Sequence, residues 1–495
     1  MMGRNYVSLS RGEDIMSYQD ICYLSATEAL NCFRRRKLSP VELMQAIIKR
    51  AERMEPGINA FTATFYERAL EQAKKAEAKY MRKGARLRAL EGLPLAVKDE
   101  VPVKGDPITS GSLVHKHDVA EETAVFAQRL FDAGAICHAR TATPEFSCAA
   151  VTHTRIHGVT RNPWNPRYTP GGSSGGSAAS LAAGTTLLAT GSDIAGSIRI
   201  PASCCGVVGF KPPYGRVPEM QLFNLDFYCH EGPLARTVAD TALMQNVIAG
   251  PHHSDIASLK PKVRIPEKHK SMRGARVAYS LDLGYFKVDK AVRENTLRAV
   301  EAFRDMGCKV EEVQVPWTEE SARAAWNYLL HLFGASCSDY LKRGKRELLT
   351  DYARAFIEHG RKSKATDFVA SLATACDMYD YFGDLMRGYD VFVCPTLAKP
   401  ALRANASLDY GSWKADGKAM PDALAWCMTY PFNMLSRCPV LSVPSGFANN
   451  GVPTGIQIVG RAYEDASVFR AAMAFERAMP WAYDRPKNRP VPRKK

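Results

Sequence analysis

Ser173 and Ser174 stand inside Gly171-Gly172-Ser173-Ser174-Gly175-Gly176, and Ser197 closes a second small-residue turn, Gly191-Ser192-Asp193-Ile194-Ala195-Gly196-Ser197. A serine hydroxyl is a weak nucleophile until a base takes its proton. G-x-S-x-G occurs around Ser173 and again around Ser174, which invites a nucleophile-elbow reading. An elbow needs a strand just before the serine, whereas residues 162–170 hold three prolines and read as a loop. No downstream histidine has an evident orienting aspartate. The glycines have another use: backbone amides free of Cβ can turn toward an anion or a developing oxyanion. A phosphate-binding G-x-x-x-x-G-K-[ST] is absent. The candidate base is Lys98, at the end of the apolar run Leu95-Ala96-Val97. Burial strips an ammonium of solvation and favours the neutral amine, which accepts a proton. The alternative is an ion pair with Asp99, although neighbours on a strand point to opposite faces. Both readings stand on residue chemistry alone.

The elements around these residues follow from pattern. Ser39-Pro40-Val41-Glu42 is a capping box with proline at the first helical position. Met44, Ile47, Ile48 and Ala51 continue it as one apolar helix face, and Pro56-Gly57 is expected to end it. A second helix is expected over 65–82. Residues 95–97 read as a buried strand, 123–133 as a helix and 134–139 as the next strand. Residues 158–218 are dense in Gly, Ser, Ala and Pro, yet they embed a helix pattern at 177–184 and an apolar run at 186–190. That argues for close backbone packing around a site rather than a linker. Residues 276–280, 289–305 and 309–315 form a strand–helix–strand unit, 318–385 are mostly helical, and 391–394, 440–443 and 455–459 read as late strands. Helix–strand alternation of this kind is an α/β pattern.

Composition sets bounds. The chain has 495 residues, 46% hydrophobic and 24% charged, which excludes a disordered chain, a collagen-like chain and a small disulfide scaffold. No apolar run reaches the roughly 18 residues of a membrane span. The formal charge is +15, but six of the positives lie in the last eleven residues, beside three prolines. The rest are spread out, and no nucleic-acid module is visible. Thirteen cysteines without a C-x-x-C fit buried thiols in a reducing compartment. The first twenty residues lack an apolar signal core, so a cytoplasmic protein is expected, and Met16 is an alternative start.

The combination resembles the amidase signature hydrolases. It is carried by GLPLAVKDEVPVKGDPITSGS (92–112), RNPWNPRYTPGGSSGGSAAS (161–180) and ATGSDIAGSIRIPASCCGVVGFKPPYGRVP (189–218), with agreement at 123–146, 230–244, 389–396 and 451–460. The resemblance implies one large α/β domain with a central mixed β-sheet covered by helices on both faces. The expected division is an extension at 1–25, the domain at 26–484 with a helical excursion at 318–385 near the pocket, and a basic tail at 485–495. It implies Ser197 as nucleophile, Ser173 as bridging serine after a cis bond from Gly172, and Lys98 as base. The amides of Ile194, Ala195, Gly196 and Ser197 would face the oxyanion. Asp193 and Arg199 would hold the turn, and Ser174 would support the relay. No metal or organic cofactor is needed for such a reaction.

The chain departs from the family in reading Ala195-Gly196-Ser197 where Gly-Gly-Ser is usual, and Pro213 where Thr is common. The Ala-Gly-Ser version, with His230-Glu231-Gly232, is similar to the branch holding 6-aminohexanoate cyclic-dimer hydrolases. Rival readings are a glutamyl-tRNA amidotransferase A-type subunit, against which Ile200 stands in place of glutamine, a non-catalytic binding member, and a membrane-bound fatty-amide hydrolase. His153 and His157 have zinc-ligand spacing, but no third ligand is apparent. Cys148, Tyr328 and Trp426 are candidates to line the pocket. The expected partner is a small-molecule amide, with no nucleic acid and no integral membrane segment. A homodimer is left open.

Overall fold

In the computed structural model, residues 17–406, 410–415, 418–481, 483 and 489–491 are described. The Ser39 capping box forms as the sequence predicts: Ser39 Oγ accepts from the Glu42 amide and Glu42 Oε2 accepts from the Ser39 amide, at 3.1 and 2.8 Å. The helix it starts, α1 (Pro40–Ile58), runs through Pro56 to a left-handed Asn59. Proline in the last turn removes one amide, but the Asn59 amide still closes on the Glu55 carbonyl at 2.9 Å. The helix therefore ends later than Pro56-Gly57 suggests.

Two short two-stranded sheets stand apart, and eleven of the described strands build one large mixed sheet. In chain order they are β1 (Phe61–Thr64), β2 (Pro94–Lys98), β3 (Ile136–Thr141), β4 (Leu188–Ser192), β5 (Val208–Lys211) and β6 (Glu231–Ala235). Then follow β7 (Arg276–Tyr279), β8 (Lys309–Glu312), β9 (Val391–Pro395), β10 (Val440–Phe447) and β11 (Pro453–Val459). Their spatial order is β1-β3-β2-β4-β6-β5-β10-β11-β9-β7-β8. β3, β2 and β4 are parallel, with Leu95 opposite Leu188 and Lys98 opposite Thr141. The centre, from β4 through β6, β5, β10 and β11 to β9, is antiparallel, and β9-β7-β8 is parallel again. β1, β5 and β6 were not legible as strands, because four or five residues without alternation carry no periodic signal.

Helices flank this sheet. α2 (Tyr66–Met81), α3 (Val125–Asp132) and α6 (Lys290–Asp305) match the expected segments, and α4 (Gly175–Ala183) and α5 (Arg199–Cys205) come from the glycine- and alanine-rich region. The excursion folds as α7 (Glu319–Leu329), α8 (Asp351–Arg361) and α9 (Ala365–Met386), with short helical turns between the first two. The described parts of the two termini meet: Arg489 donates to Asp20 Oδ1 at 2.7 Å, and Arg50 donates to the Pro490 carbonyl at 2.8 Å. All thirteen cysteines are free thiols and most are buried. Among the described residues no helix is long and apolar enough to cross a membrane.

The topology fixes the site. β2 and β4 are parallel neighbours, so their carboxyl ends open at the same edge. Lys98 is the last residue of β2 and Ser192 the last of β4. The two serine turns lead into α4 and α5 at that edge.

Candidate active site

Lys98 is fully buried, and its Nζ is held by three groups. It donates to Ser173 Oγ at 2.7 Å and to Ser192 Oγ at 2.8 Å, and it meets Glu100 Oε1 at 2.7 Å. Its strand position is pinned by the Lys98 amide donating to Thr190 Oγ1 at 2.9 Å. Asp99 is turned away and accepts from Thr109 and the Gly111 amide. The alternative ion pair with Asp99 does not form; the carboxylate that meets Lys98 is Glu100. The chain turns directly after β2, where the Val101 amide donates to the Lys98 carbonyl at 3.0 Å, and that turn carries Glu100 back to Nζ while Asp99 faces the other loop. Burial works against charge on Glu100, but Lys98, Ser147 and Ser192 outweigh it and hold the carboxyl below its ordinary value.

Ser173 is fully buried and follows a cis peptide bond from Gly172. A Cβ on Gly172 would lie 2.6 Å from the Ala149 carbonyl oxygen, so only glycine lets these two loops touch. The Ser174 amide donates to the Ser197 carbonyl at 3.1 Å, which ties the two serine turns together. Ser174 Oγ lies 3.5 Å from the Ser192 carbonyl, at the outer limit of a hydrogen bond.

The turn before Ser197 is built so that its carbonyls face the protein. The Asp193 carbonyl takes Asn433 Nδ2 at 3.1 Å and lies 3.0 Å from His230 Nδ1. The Ala195 carbonyl accepts from Thr429 Oγ1 at 2.7 Å, and the Gly196 carbonyl from the Ile200 amide at 2.7 Å. The amides of Ile194, Ala195 and Ser197 make no hydrogen bond among the described residues, and these three residues line a cavity. Gly196 departs from the expected set. Its amide donates to Asp193 Oδ1 at 2.8 Å and is not free for an oxyanion. Gly196 instead carries the reversal of the turn, at φ +122°. Ala195 has no positive φ, so the methyl group at that position is accommodated.

Asp193 and Arg199 form the buried scaffold of this turn. Asp193 Oδ1 accepts from Gly196 N, Arg199 Nη2 and Asn433 Nδ2 at 2.8, 2.9 and 2.8 Å. Its Oδ2 accepts from Arg199 Nε at 2.9 Å and Ile198 N at 3.3 Å. Burial opposes ionisation here, but the Arg199 guanidinium outweighs it and holds the Asp193 carboxyl well below the usual carboxylate range. Arg199 Nη1 is also taken by the Thr429 carbonyl at 2.9 Å and Gln457 Oε1 at 2.6 Å. His230 sits behind the turn, pushed down to about 3 by burial, and Lys211 beside it is pushed down to about 7 for the same reason.

Two joined lobes open over these groups. An apolar lobe of about 90 Å³ is lined by Ser197, Ile194, Cys148, Trp326, Leu329 and Phe356, among others. A larger lobe of about 340 Å³ is lined by Ser173, Ser192, Glu100, Glu219 and Glu231, among others. Ser147, Ile194 and Phe333 line both. Of the three expected pocket residues, Cys148 lines the apolar lobe. Tyr328 and Trp426 do not. Tyr328 donates to Asp226 Oδ1 at 2.9 Å and stacks on Tyr228 in the core. Trp426 is buried in the same core, while its neighbour Cys427 reaches the lobe. Helical spacing explains the miss on α7: Trp326 and Leu329 share one face, and Tyr328 lies about 200° around from Trp326.

Glu100, Ser192, Glu219, Glu231 and Trp326 escaped the sequence reading as site residues. For Glu100 a signal existed, since it lies two residues beyond Lys98. The others come from separate segments joined only by the fold. Among the described residues no group of His, Cys, Asp and Glu is arranged to hold a metal ion.

Comparison with known proteins bears on this geometry. The family model described as Amidase matches residues 42–469. An acylamidase of Rhodococcus erythropolis is 36% identical over 95% of this chain and 98% of that protein. The crystal structure of a bacterial aryl acylamidase of the amidase signature family superposes with a TM-score of 0.87 at 30% identity, covering 95% of this chain and 100% of that one. A 6-aminohexanoate cyclic dimer hydrolase complexed with substrate superposes with a TM-score of 0.78 at 26% identity, covering 95% and 99%.

Proposed function

The chain belongs to the amidase signature family and is an amide hydrolase, and from that premise we propose that it works through a Ser197 acyl-enzyme with Ser173 and Lys98 as its proton relay. The observation that carries this reading is the buried contact of Lys98 Nζ with Ser173 Oγ at 2.7 Å, one turn away from Ser197.

Neutral Lys98 takes a proton from Ser173, and Ser173 takes one from Ser197. Ser197 Oγ attacks the amide carbon. The oxyanion forms against the amides of Ile194, Ala195 and Ser197, in a turn pinned by the hydrogen bonds to the Asp193, Ala195 and Gly196 carbonyls. One preorganised donor of this kind is typically worth about 2.7–4 kcal/mol in the transition state. Ser173 returns a proton to the departing nitrogen, the C–N bond breaks and the amine leaves. Water then attacks the ester carbon by the reverse relay and releases the carboxylate. Glu100 Oε1 and Ser192 Oγ, at 2.7 and 2.8 Å, hold the Lys98 Nζ in place beside Ser173.

The test is intact mass after treatment with a fluorophosphonate, followed by peptide mapping. One adduct on Ser197 that is lost in Ser197→Ala is expected, together with slow labelling in Ser173→Ala. Labelling elsewhere, or none in well-folded protein, defeats the Ser197 assignment.

A further inference from the structure

The two lobes differ sharply in chemistry. The larger one holds three glutamates, and among the described residues no lysine or arginine lines it. That is unexpected by chance in a chain with 66 Lys and Arg against 51 Asp and Glu. Lys98 Nζ is committed to Glu100 at 2.7 Å. Glu219 and Glu231 lie close enough to act on each other; burial raises both, Glu219 to about 7 and Glu231 well above its ordinary value. Glu231 is 6% exposed, and its Oε2 meets no donor among the described residues. A buried carboxylate oxygen without a donor is costly unless a ligand supplies one. Aromatic rings complete the wall: Phe146 stacks on Tyr340 at 4.6 Å, and Phe223 meets Phe333 edge-on at 5.5 Å. Carboxylates beside aromatic faces are the surroundings that bind an organic ammonium.

We propose that this lobe binds a cationic group on the amine half of the substrate, so that the enzyme acts on apolar acyl amides of diamines. The proposal rests on the Ser197–Ser173–Lys98 reading in one respect, the orientation. Ser173, which would protonate the departing nitrogen, lines the acidic lobe, and Ser197 lines the apolar one. The acyl group therefore occupies the apolar lobe, and the amine chain runs past Ser173 toward Glu231 and Glu219. The reaction balances as R–CO–NH–R′–NH₃⁺ plus water giving R–COO⁻ plus ⁺H₃N–R′–NH₃⁺. The C–N bond breaks, water supplies the second carboxylate oxygen, and the departing nitrogen leaves fully protonated.

The experiment compares kcat/KM for N-benzoyl diaminobutane, for the neutral isostere N-pentyl benzamide, and for N-benzoyl aminopentanoate, which ends in a carboxylate. The cationic amide is expected to exceed the neutral one by about tenfold or more, as a charge-assisted hydrogen bond implies. The anionic amide is expected to be the poorest. In Glu231→Gln and Glu219→Gln the cationic-to-neutral ratio is expected to fall toward one. Wild type that cleaves the neutral amide as well as the cationic one overturns the proposal, and so does a ratio unmoved in both variants. If no amide is cleaved, calorimetry on the wild-type protein separates the two ideas. Binding of pentylammonium without binding of pentanoate supports the acidic lobe while the catalytic reading fails. Equal or absent binding of both overturns the lobe as well.

Discussion

Asp193→Asn is the substitution whose consequences can be worked out furthest from the geometry. Five donors converge on the two oxygens of Asp193: Gly196 N, Ile198 N, Arg199 Nε and Nη2, and Asn433 Nδ2. An asparagine offers one oxygen and one NH₂. If the NH₂ replaces Oδ2, it faces Ile198 N–H and Arg199 Nε–H; if it replaces Oδ1, it faces three donors. Neither rotamer avoids donor against donor, and both leave the fully buried Arg199 without its counter-charge. Breaking one half of a buried ion pair costs about 3–5 kcal/mol. A chain of this length unfolds with an entropy of about 1 kcal/mol/K, so Tm should fall by about 3–5 °C. The turn that presents the Ile194, Ala195 and Ser197 amides loosens at the same time, and kcat/KM should drop by about 10²–10³-fold, as when one oxyanion donor is lost. Scanning calorimetry and steady-state amide hydrolysis read the two effects. Arg199→Met and the double variant complete a cycle, in which the double variant should be little worse than the poorer single one. A Tm within about 1 °C of wild type, or single effects that simply add, would refute the claim that this pair holds the turn.

Further outcomes follow from other contacts. A Cβ on Gly196 would lie 1.9 Å from Thr429 Oγ1, at φ +122°. Gly196→Ala should therefore cost about 2–6 kcal/mol of stability from strain and overpacking, whereas Ala195→Gly should change Tm little; equal effects at both positions would contradict the turn geometry. Lys98→Met should slow fluorophosphonate labelling of Ser197 by about 10²–10⁴-fold, and an unchanged labelling rate would remove Lys98 from the relay. Glu219, raised to about 7 by burial, sits above the unfolded value of about 4.3. Its contribution to stability is therefore whole below about pH 4.3 and lost as pH rises through about 7. The Tm of Glu219→Gln relative to wild type should rise between about pH 5 and about pH 8; a flat difference would refute the assignment.

Much of the scaffold was legible because it depends on local pattern. The Ser39 box, the α2 and α6 amphipathic helices and the buried strand ending at Lys98 each declare themselves within one window of sequence. The glycine-rich stretch was legible as tightly packed backbone, because only small residues permit such approach. The strands β1, β5 and β6 were not, since each is short and owes its strand state to neighbours across the sheet. The same limit applied to the pocket. Tyr328 and Trp426 were plausible by type, but a side chain's direction depends on how its helix or loop is rotated against the core, which no spacing rule supplied.

Sequence alone singled out the candidate reactive residues. A lysine ending an apolar strand, two serine turns framed by glycine, and an aspartate and arginine flanking Ser197 are all matters of residue type at short range. Tertiary structure decided what those residues meet. It paired Lys98 with Glu100 rather than Asp99, because the turn that follows β2 brings Glu100 back to Nζ. It removed the Gly196 amide from the expected oxyanion set, because Asp193 takes it. It also gathered Glu100 with Glu219 and Glu231, from two distant stretches of chain, around one cavity. Such convergence is set by the order and direction of strands in the sheet, and that is a long-range property that no single stretch of chain encodes.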